Sequence, residues 1–207
     1  MREYRDPTSP EVTARILAHN QTAQERNATK VFCSGDKARV WLRTCYDPEL
    51  EESYEAIRSD SYSPNDFEDP DTVFNNEELY SMSDWREFLL RVPSLTDVMG
   101  GLPYESDNGI QEFKYCSGLG ELYEGQGDIS EESVPVFQAS ERVQAVICLL
   151  DREAIIGGYI NIIWLDEHGH CIWDNWAKPS RMSDFVGALV DHHLLYEISP
   201  ATRGDEV

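Results

Sequence analysis

The sequence predicts an α+β fold in which a mixed or mainly antiparallel sheet packs against several helices. Apolar, β-branched runs that are typical of strands occur within residues 29–46 and 143–177. Helix-spaced apolar residues follow residues that favour helix N-termini at several points along the chain. The last of these stripes, over residues 182–197, follows two strand-like runs that flank a tight turn. We therefore expect the C-terminal part to be a β-hairpin followed by an amphipathic helix.

The length and composition predict one domain. The chain has 207 residues, of which 41% are hydrophobic, and a chain of this size can bury one substantial core. We assign residues 1–198 to a single α+β domain and residues 199–207 to a disordered tail. Within the domain, residues 60–76 read as an acidic loop and residues 101–139 as an irregular, loop-rich stretch, because glycines and prolines interrupt the apolar periods there.

The first half of the chain contains three predicted helices. The first begins at Ser9 and the second at Asp47, and each of these capping residues is followed by a proline, which suits the first helical position. Between them, residues 29–46 read as two strands separated by a Ser-Gly-Asp turn. The third helix begins at Ser83 and ends before Pro93, with apolar residues at helical spacing between the two.

The stretch "LDEHGHC" raises the question of whether it is a metal site or a turn. Residues 166–169 match a type I turn followed by a glycine in the left-handed conformation, which is a common solution for a three-residue hairpin loop. This geometry puts His168 at the exposed tip, and it turns His170 and Cys171 to opposite faces of the returning strand. Because side chains on opposite faces cannot converge on one ion, we predict a turn and no metal site.

A catalytic site is the alternative interpretation of the same region. The final helix must pack on the C-terminal sheet, so His170, His193 and Cys171 can form a site with a nearby carboxylate. Against this, the chain carries no nucleophile elbow, no phosphate-binding loop and no dinucleotide-binding glycine pattern. The sequence indicates no cofactor, and it specifies no oligomeric state.

The net charge is the most unusual global property. It is −22, and residues 61–140 contribute most of it, with 17 acidic and 3 basic residues and a net charge of −14. A field of this sign repels nucleic-acid phosphates and anionic membranes, which argues against direct nucleic-acid or membrane binding. It attracts basic proteins and speeds their association. A basic protein is therefore the partner that the composition favours.

Targeting features are consistent with a cytoplasmic protein. The N-terminus has no apolar core of the kind that signal peptides carry, and the five cysteines are scattered without a C-x-x-C pair. A reducing compartment suits such a pattern.

The acidic loop is the predicted binding surface. Its aromatic residues are interleaved with carboxylates, a composition suited to anchoring on a basic protein surface. The predicted contact residues are Tyr62, Asp66, Phe67, Glu68, Asp69, Asp71 and Phe74. We expect an acidic interaction protein, such as an inhibitor or antidote that covers a basic functional surface of its partner. The competing expectation is a small-molecule enzyme that uses the histidines and Cys171.

Overall fold

A mixed five-stranded sheet, in the order β2-β1-β3-β4-β5, forms the centre of the protein. The computed structural model describes residues 20–32, 38–61, 72–95, 143, 145–166, 168–190 and 206. The strands are β1 (Ala38–Arg43), β2 (Val73–Phe74), β3 (Ala145–Leu150), β4 (Ile160–Leu165) and β5 (Cys171–Ala177). The helices are α1 (Ala23–Phe32), α2 (Glu51–Asp60), α3 (Glu77–Tyr80), α4 (Glu87–Arg91), α5 (Arg152–Gly157) and α6 (Met182–Val190). Short 3₁₀ turns occupy Pro48–Leu50, Pro93–Leu95 and Pro179–Arg181.

The sheet combines a parallel and an antiparallel half. Strand β1 pairs in parallel with β2 on one side and with β3 on the other. Strands β3, β4 and β5 pair antiparallel in sequence order. The carboxyl ends of β1, β2 and β3 therefore meet at the same edge of the sheet. The prediction of a mixed sheet packed against helices is confirmed.

Both faces of the sheet are covered. On face A, strand residues such as Trp41 and Trp164 pack with the buried residues of α2, α5 and α6. On face B, strand residues such as Leu42 and Ile147 pack with the buried residues of α1, α3 and α4. The central strand β3 is buried along its whole length, which explains why its sequence is a continuous apolar run instead of an alternating one.

The predicted helix start at Asp47 is confirmed, and two other starts differ from the prediction. Asp47 accepts a hydrogen bond from the backbone N–H of Glu49 at 3.0 Å and begins the 3₁₀ turn that leads into α2. The third predicted helix was expected to begin at Ser83, whereas α4 begins at Glu87. The turn before it is closed by Asp84, whose carboxylate accepts a hydrogen bond from the N–H of Arg86 at 3.0 Å. Helix α5 was not predicted, although Asp151 caps it by accepting from the N–H of Ala154.

Two segments differ from the predicted strands and loops. Residues 29–32 of the predicted strand region 29–46 belong to α1. A capping box starts that helix, because Thr22 and Glu25 each accept a hydrogen bond from the other's backbone N–H. Val73–Phe74, which we expected to lie in the acidic loop, form β2 instead. Pairing with β1 satisfies their backbone and turns Phe74 into the core.

The predicted C-terminal hairpin and helix are present where the structure describes them. Gly169 has φ +77° and donates its N–H to the carbonyl of Asp166 at 3.0 Å, and a register shift interrupts the β4–β5 pairing next to the turn. His168 is exposed at the tip, as expected. The α6 stripe is confirmed through Met182, Phe185 and Val186, which are buried on face A. The predicted continuation to residue 197 lies outside the described residues.

Other predicted features lie largely outside the described chain. These are the helix beginning at Ser9, the stretch 101–139 and most of the acidic loop. In the predicted tail, Glu206 is described, and it forms a parallel bridge to Trp176 and an ion pair with Lys178 at 3.0 Å. None of the described helices is long and apolar enough to cross a membrane.

Candidate functional site

A cavity of about 540 Å³ lies where the carboxyl ends of β1, β2 and β3 meet. We call it the carboxyl-end pocket. Its lining comes from residues 44–47 after β1, from Glu77 and residues 81–83 after β2, and from residues 151–153 after β3. The chain leaves β1 toward α2 on face A and leaves β2 toward α3 on face B. In sheets with parallel strands, a change of side of this kind opens a crevice at the carboxyl ends, and ligands commonly bind in such crevices.

The loop after β1 is held in place by the buried guanidinium of Arg43, whose side chain is 5% exposed. It donates to both carboxylate oxygens of Glu51, at 2.5 and 3.3 Å, and to the carbonyl of Cys45 at 2.8 Å. The same group lies over the ring of Tyr54 at 3.7 Å and over that of Tyr46 at 4.6 Å. The Tyr46 hydroxyl donates back to the carbonyl of Arg43 at 3.0 Å. Charge-assisted hydrogen bonds and ring contacts thus connect this wall of the pocket to α2.

The ionisation of these groups follows from their contacts. Burial disfavours the charged form of Arg43, but the hydrogen bond and the charge of Glu51 outweigh this effect and raise its pKa. The hydrogen bond from Arg43 lowers the pKa of Glu51. Burial raises the pKa of Tyr46. Arg43 and Glu51 are therefore both charged at neutral pH, while Tyr46 carries its proton.

An ion pair joins the first wall of the pocket to the third. Arg152, the first residue of α5, donates to Asp47 at 2.6 Å. This hydrogen bond lowers the pKa of Asp47 and raises that of Arg152. The Arg152 side chain is 62% exposed, so the pair contributes little to stability. Its effect is to orient two charged groups at the pocket rim.

Two other carboxylates of the pocket already have hydrogen-bond partners. Asp151 caps α5 through the N–H of Ala154 at 2.8 Å, and its second oxygen lies 3.5 Å from the side-chain amide of Asn161. Glu153 lies beside Tyr159, whose pKa is raised first by burial and then by the negative charge of Glu153. Both carboxylates therefore take part in local structural contacts.

Glu77 differs from the other acids of the pocket. It is the first residue of α3, where Asn76 caps the helix by accepting from the N–H of Glu78 at 3.0 Å. The Glu77 side chain is exposed. Within the described part of the chain, it forms no ion pair with a lysine, arginine or histidine.

Thr44 is the most buried polar residue of the lining, at 7% exposed. Its backbone N–H donates to the carbonyl of Leu150 at 3.1 Å and extends the β1–β3 pairing. Continued alternation along β1 puts the Thr44 side chain on the same side as Leu42, which is face B. Residues 81–83 bound the pocket beyond α3, whose Tyr80 also packs on face B. Among the described residues, no side chain forms a hydrogen bond with the Thr44 hydroxyl.

The lining is strongly acidic. Among the residues that the structure describes, it contains four carboxylates, those of Asp47, Glu77, Asp151 and Glu153, against one guanidinium, that of Arg152. None of these described lining residues is a histidine. A cationic group that enters the pocket would therefore meet an attractive field from three of its sides.

The predicted contact residues of the acidic loop have different outcomes. Six of the seven predicted contact residues fall outside the described residues, so their role stays a prediction. These six are Tyr62, Asp66, Phe67, Glu68, Asp69 and Asp71. Phe74 is described and fully buried on face B. It makes edge-to-face contacts with Tyr80 and Phe88, with centroids 5.6 and 4.7 Å apart. It therefore belongs to the core and cannot anchor a partner in this conformation.

The structure describes two of the three alternative catalytic residues, His170 and Cys171. His170 is 74% exposed on the hairpin, with Nδ1 3.4 Å from a carboxylate oxygen of Asp166. Cys171 is half-buried against face B, and its thiol donates to the carbonyl of Trp173 at 3.4 Å. His193 lies outside the described residues. Among the residues that the structure describes, no three His, Cys, Asp or Glu side chains could together hold a metal ion.

Inspection of the sequence missed the carboxyl-end pocket, although it contained a signal for it. Asp47 and Asp151 each follow a strand-like apolar run and precede a helix. Polar residues in such positions lie at the carboxyl ends of strands, where parallel strands bring them together. That β1 and β3 are adjacent and parallel could not be deduced, because the 101 residues from 44 to 144 separate them in sequence.

The chain matches no protein-family model, no curated protein and no solved structure.

Proposed function

We propose that this protein binds a basic partner protein and covers a functional surface of that partner, as an inhibitor or antidote does. The observation that carries the proposal is the composition of the carboxyl-end pocket, whose described lining has four carboxylates, one arginine and no histidine. An open acidic surface favours a binder, whereas a catalytic cleft typically holds a desolvated acid or base.

The distribution of charge supports the same proposal. Residues 61–140 carry a net charge of −14, and Glu77 of the pocket belongs to this segment. A field of this kind raises the rate at which a basic protein associates, while aromatic contacts slow its dissociation. In the proposal, the carboxylates of residues 66–71 steer the partner, and Tyr62 and Phe67 anchor it.

Kinetics with the captured partner test the steering role. Wild-type protein serves as bait in native lysate at low salt, and the basic protein that elutes as salt rises is purified for stopped-flow association. The test variant replaces the acidic run by amides: Asp66→Asn, Glu68→Gln, Asp69→Asn and Asp71→Asn. We expect a lower association rate and a weaker salt dependence, because screening acts on the charges that were removed. Phe67→Ala should instead raise the dissociation rate, by about 30-fold if this residue is a hot spot.

A matched control separates a local surface from the overall charge. It replaces four exposed acids on the helices of face A by amides: Glu52→Gln, Glu55→Gln, Asp60→Asn and Asp184→Asn. The control changes the net charge equally, so it should lower the association rate less than the test variant does. Equal rates and equal salt responses for the wild type and the test variant would reject the proposal.

A further inference from the structure

We infer that the carboxyl-end pocket receives an arginine side chain of the basic partner, with the Glu77 carboxylate and the Thr44 hydroxyl as its hydrogen-bond acceptors. This inference rests on the proposed function, and it names the chemistry that one site of the protein recognises.

Thr44 is the first observation that points to a ligand. The Thr44 hydroxyl is not among the fully buried side-chain atoms of the described chain that have no hydrogen-bond partner, so it keeps access to the pocket. Thr44 is 7% exposed and lines the pocket, and the described residues supply no side-chain partner for its hydroxyl. A donor that enters the pocket would satisfy this group.

Glu77 is the second observation. Arg152 neutralises Asp47, Asp151 caps α5, and Glu153 lies beside Tyr159. Glu77 has no cationic partner within the described chain. A ligand that contacts both Glu77 and Thr44 would be favoured by a positive charge and by more than one N–H donor.

A guanidinium group has these properties. It is planar, it remains charged at all physiological pH values, and its donors form a fork that can engage two acceptors at once. The same loop already holds one such group. Arg43 is bound there by a carboxylate, a backbone carbonyl and two tyrosine rings. The pocket offers a similar set, with a carboxylate, a hydroxyl and the half-buried Tyr46.

The size of the pocket fits a side chain that is presented by a protein. A volume of about 540 Å³ lies within the usual range for ligand sites. It leaves room for an arginine together with part of the chain that carries it. Because the carboxylates of the described lining outnumber its arginine, Arg152, the binding of a second cation remains electrostatically favourable.

Binding of arginine analogues to the full chain tests the inference. The probe is Nα-acetylarginine methylamide, and the neutral comparison is Nα-acetylcitrulline methylamide, which has nearly the same shape. Both are titrated into the ¹⁵N-labelled protein, and amide shifts of residues 44–47 and 77–83 are followed by NMR. We expect saturable shifts with the arginine probe and none with citrulline. Glu77→Gln should weaken binding by about tenfold, the size of one charge-assisted hydrogen bond.

Two further variants make the test specific. Thr44→Val should weaken probe binding by about threefold, and Thr44→Ser, which keeps the hydroxyl, should bind like the wild type. Glu78→Gln removes an equal charge from the neighbouring exposed residue, which does not line the pocket, and should change binding by less than about twofold. Equal losses for Glu77→Gln and Glu78→Gln would overturn the inference, since diffuse charge alone would then explain binding.

Two other probes test the chemical class. Tighter binding of Nα-acetyllysine methylamide would overturn the assignment to a guanidinium. Much tighter binding of free L-arginine would overturn the assignment to a protein side chain, because it would make the free amino acid the ligand.

Failure of the inference differs from failure of the proposed function. If the arginine probe does not bind while the captured partner still associates in a salt-dependent way, the inference is wrong and the proposed function stands. If the probe binds through Glu77 but no basic partner is captured, the proposed function fails and the pocket remains a guanidinium site.

Discussion

At the scale of single residues, Asp166 shapes the hairpin between β4 and β5. The residue is fully buried, and one of its carboxylate oxygens accepts the N–H groups of His168 and His170, each at 2.9 Å. Gly169 completes the turn with a positive φ of +77°. A short acidic side chain that binds the following backbone is a typical means of closing such turns.

Two substitutions in this turn should have contrasting effects. Gly169→Val should destabilise the protein by about 1–2 kcal/mol or more, because a β-branched side chain resists a positive φ. His168→Ala should change stability by less than about 0.5 kcal/mol, because its side chain is exposed. Urea unfolding of both variants measures the contrast, and similar losses of stability would contradict the assigned turn.

The carboxylate of Asp166 should make the hairpin sensitive to acid. Burial by itself raises the pKa of Asp166, but the backbone N–H groups of His170 and His168 outweigh this effect and lower the pKa below its ordinary value of 3.8. A lowered pKa in the folded state means that the charged form contributes stability above the ordinary value. That contribution is lost as the pH falls through the folded-state pKa.

Asp166→Asn therefore tests this pH dependence. The substitution should cost about 1–2 kcal/mol at neutral pH, since an amide oxygen is a weaker acceptor than a carboxylate. The difference in unfolding free energy from the wild type should shrink as the pH falls below about 4. Urea unfolding over a pH series measures it, and a difference that stays constant down to acid pH would contradict the expectation.

At the scale of elements, a buried ion pair joins α1 to α4 on face B. Glu25 is fully buried and accepts from Arg91 at 2.6 and 3.2 Å. It also accepts from the Tyr80 hydroxyl at 3.2 Å and from the N–H of Thr22 at 2.6 Å. A single carboxylate therefore caps α1 and also connects it to α3 and α4.

Removing one partner of this pair should be costly. Arg91→Met leaves the carboxylate of Glu25 buried without its cation, which typically costs about 3–5 kcal/mol. The double variant Glu25→Leu, Arg91→Met should recover part of this loss, because it removes the buried charge as well. Thermal or urea unfolding measures both variants. A double variant less stable than Arg91→Met would show that the capping and tyrosine contacts of Glu25 matter more than its charge.

At the scale of the whole molecule, the topology gathers acidic residues at one edge of the sheet. Parallel pairing of β1 with β2 and β3 brings three carboxyl ends together there. Four carboxylates of the described pocket lining lie at this edge, and the chain as a whole carries a net charge of −22. The long-range field would attract a basic partner from a distance, while the pocket would bind one of its side chains at close range.

Local patterns in the sequence determined the elements whose structure depends on near neighbours. The apolar run of β3, the capped start of α2, the β4–β5 turn at Gly169 and the buried stripe of α6 all follow from residues within a few positions of one another. Net charge, and with it the class of partner that we propose, also needs only the composition.

Only the tertiary structure decided where distant residues meet. Local preference favoured a strand at the end of α1 and a loop at Val73–Phe74. In the structure, a helix that starts at the Thr22–Glu25 capping box runs to Phe32, and pairing with β1 forms β2. The pocket arose in the same way, because Thr44, Glu77 and Arg152 come together only through the parallel pairing of strands that are far apart in the chain. Strand pairing depends on the burial of both faces of the sheet, and that is a property of the whole chain which no local window of the sequence contains.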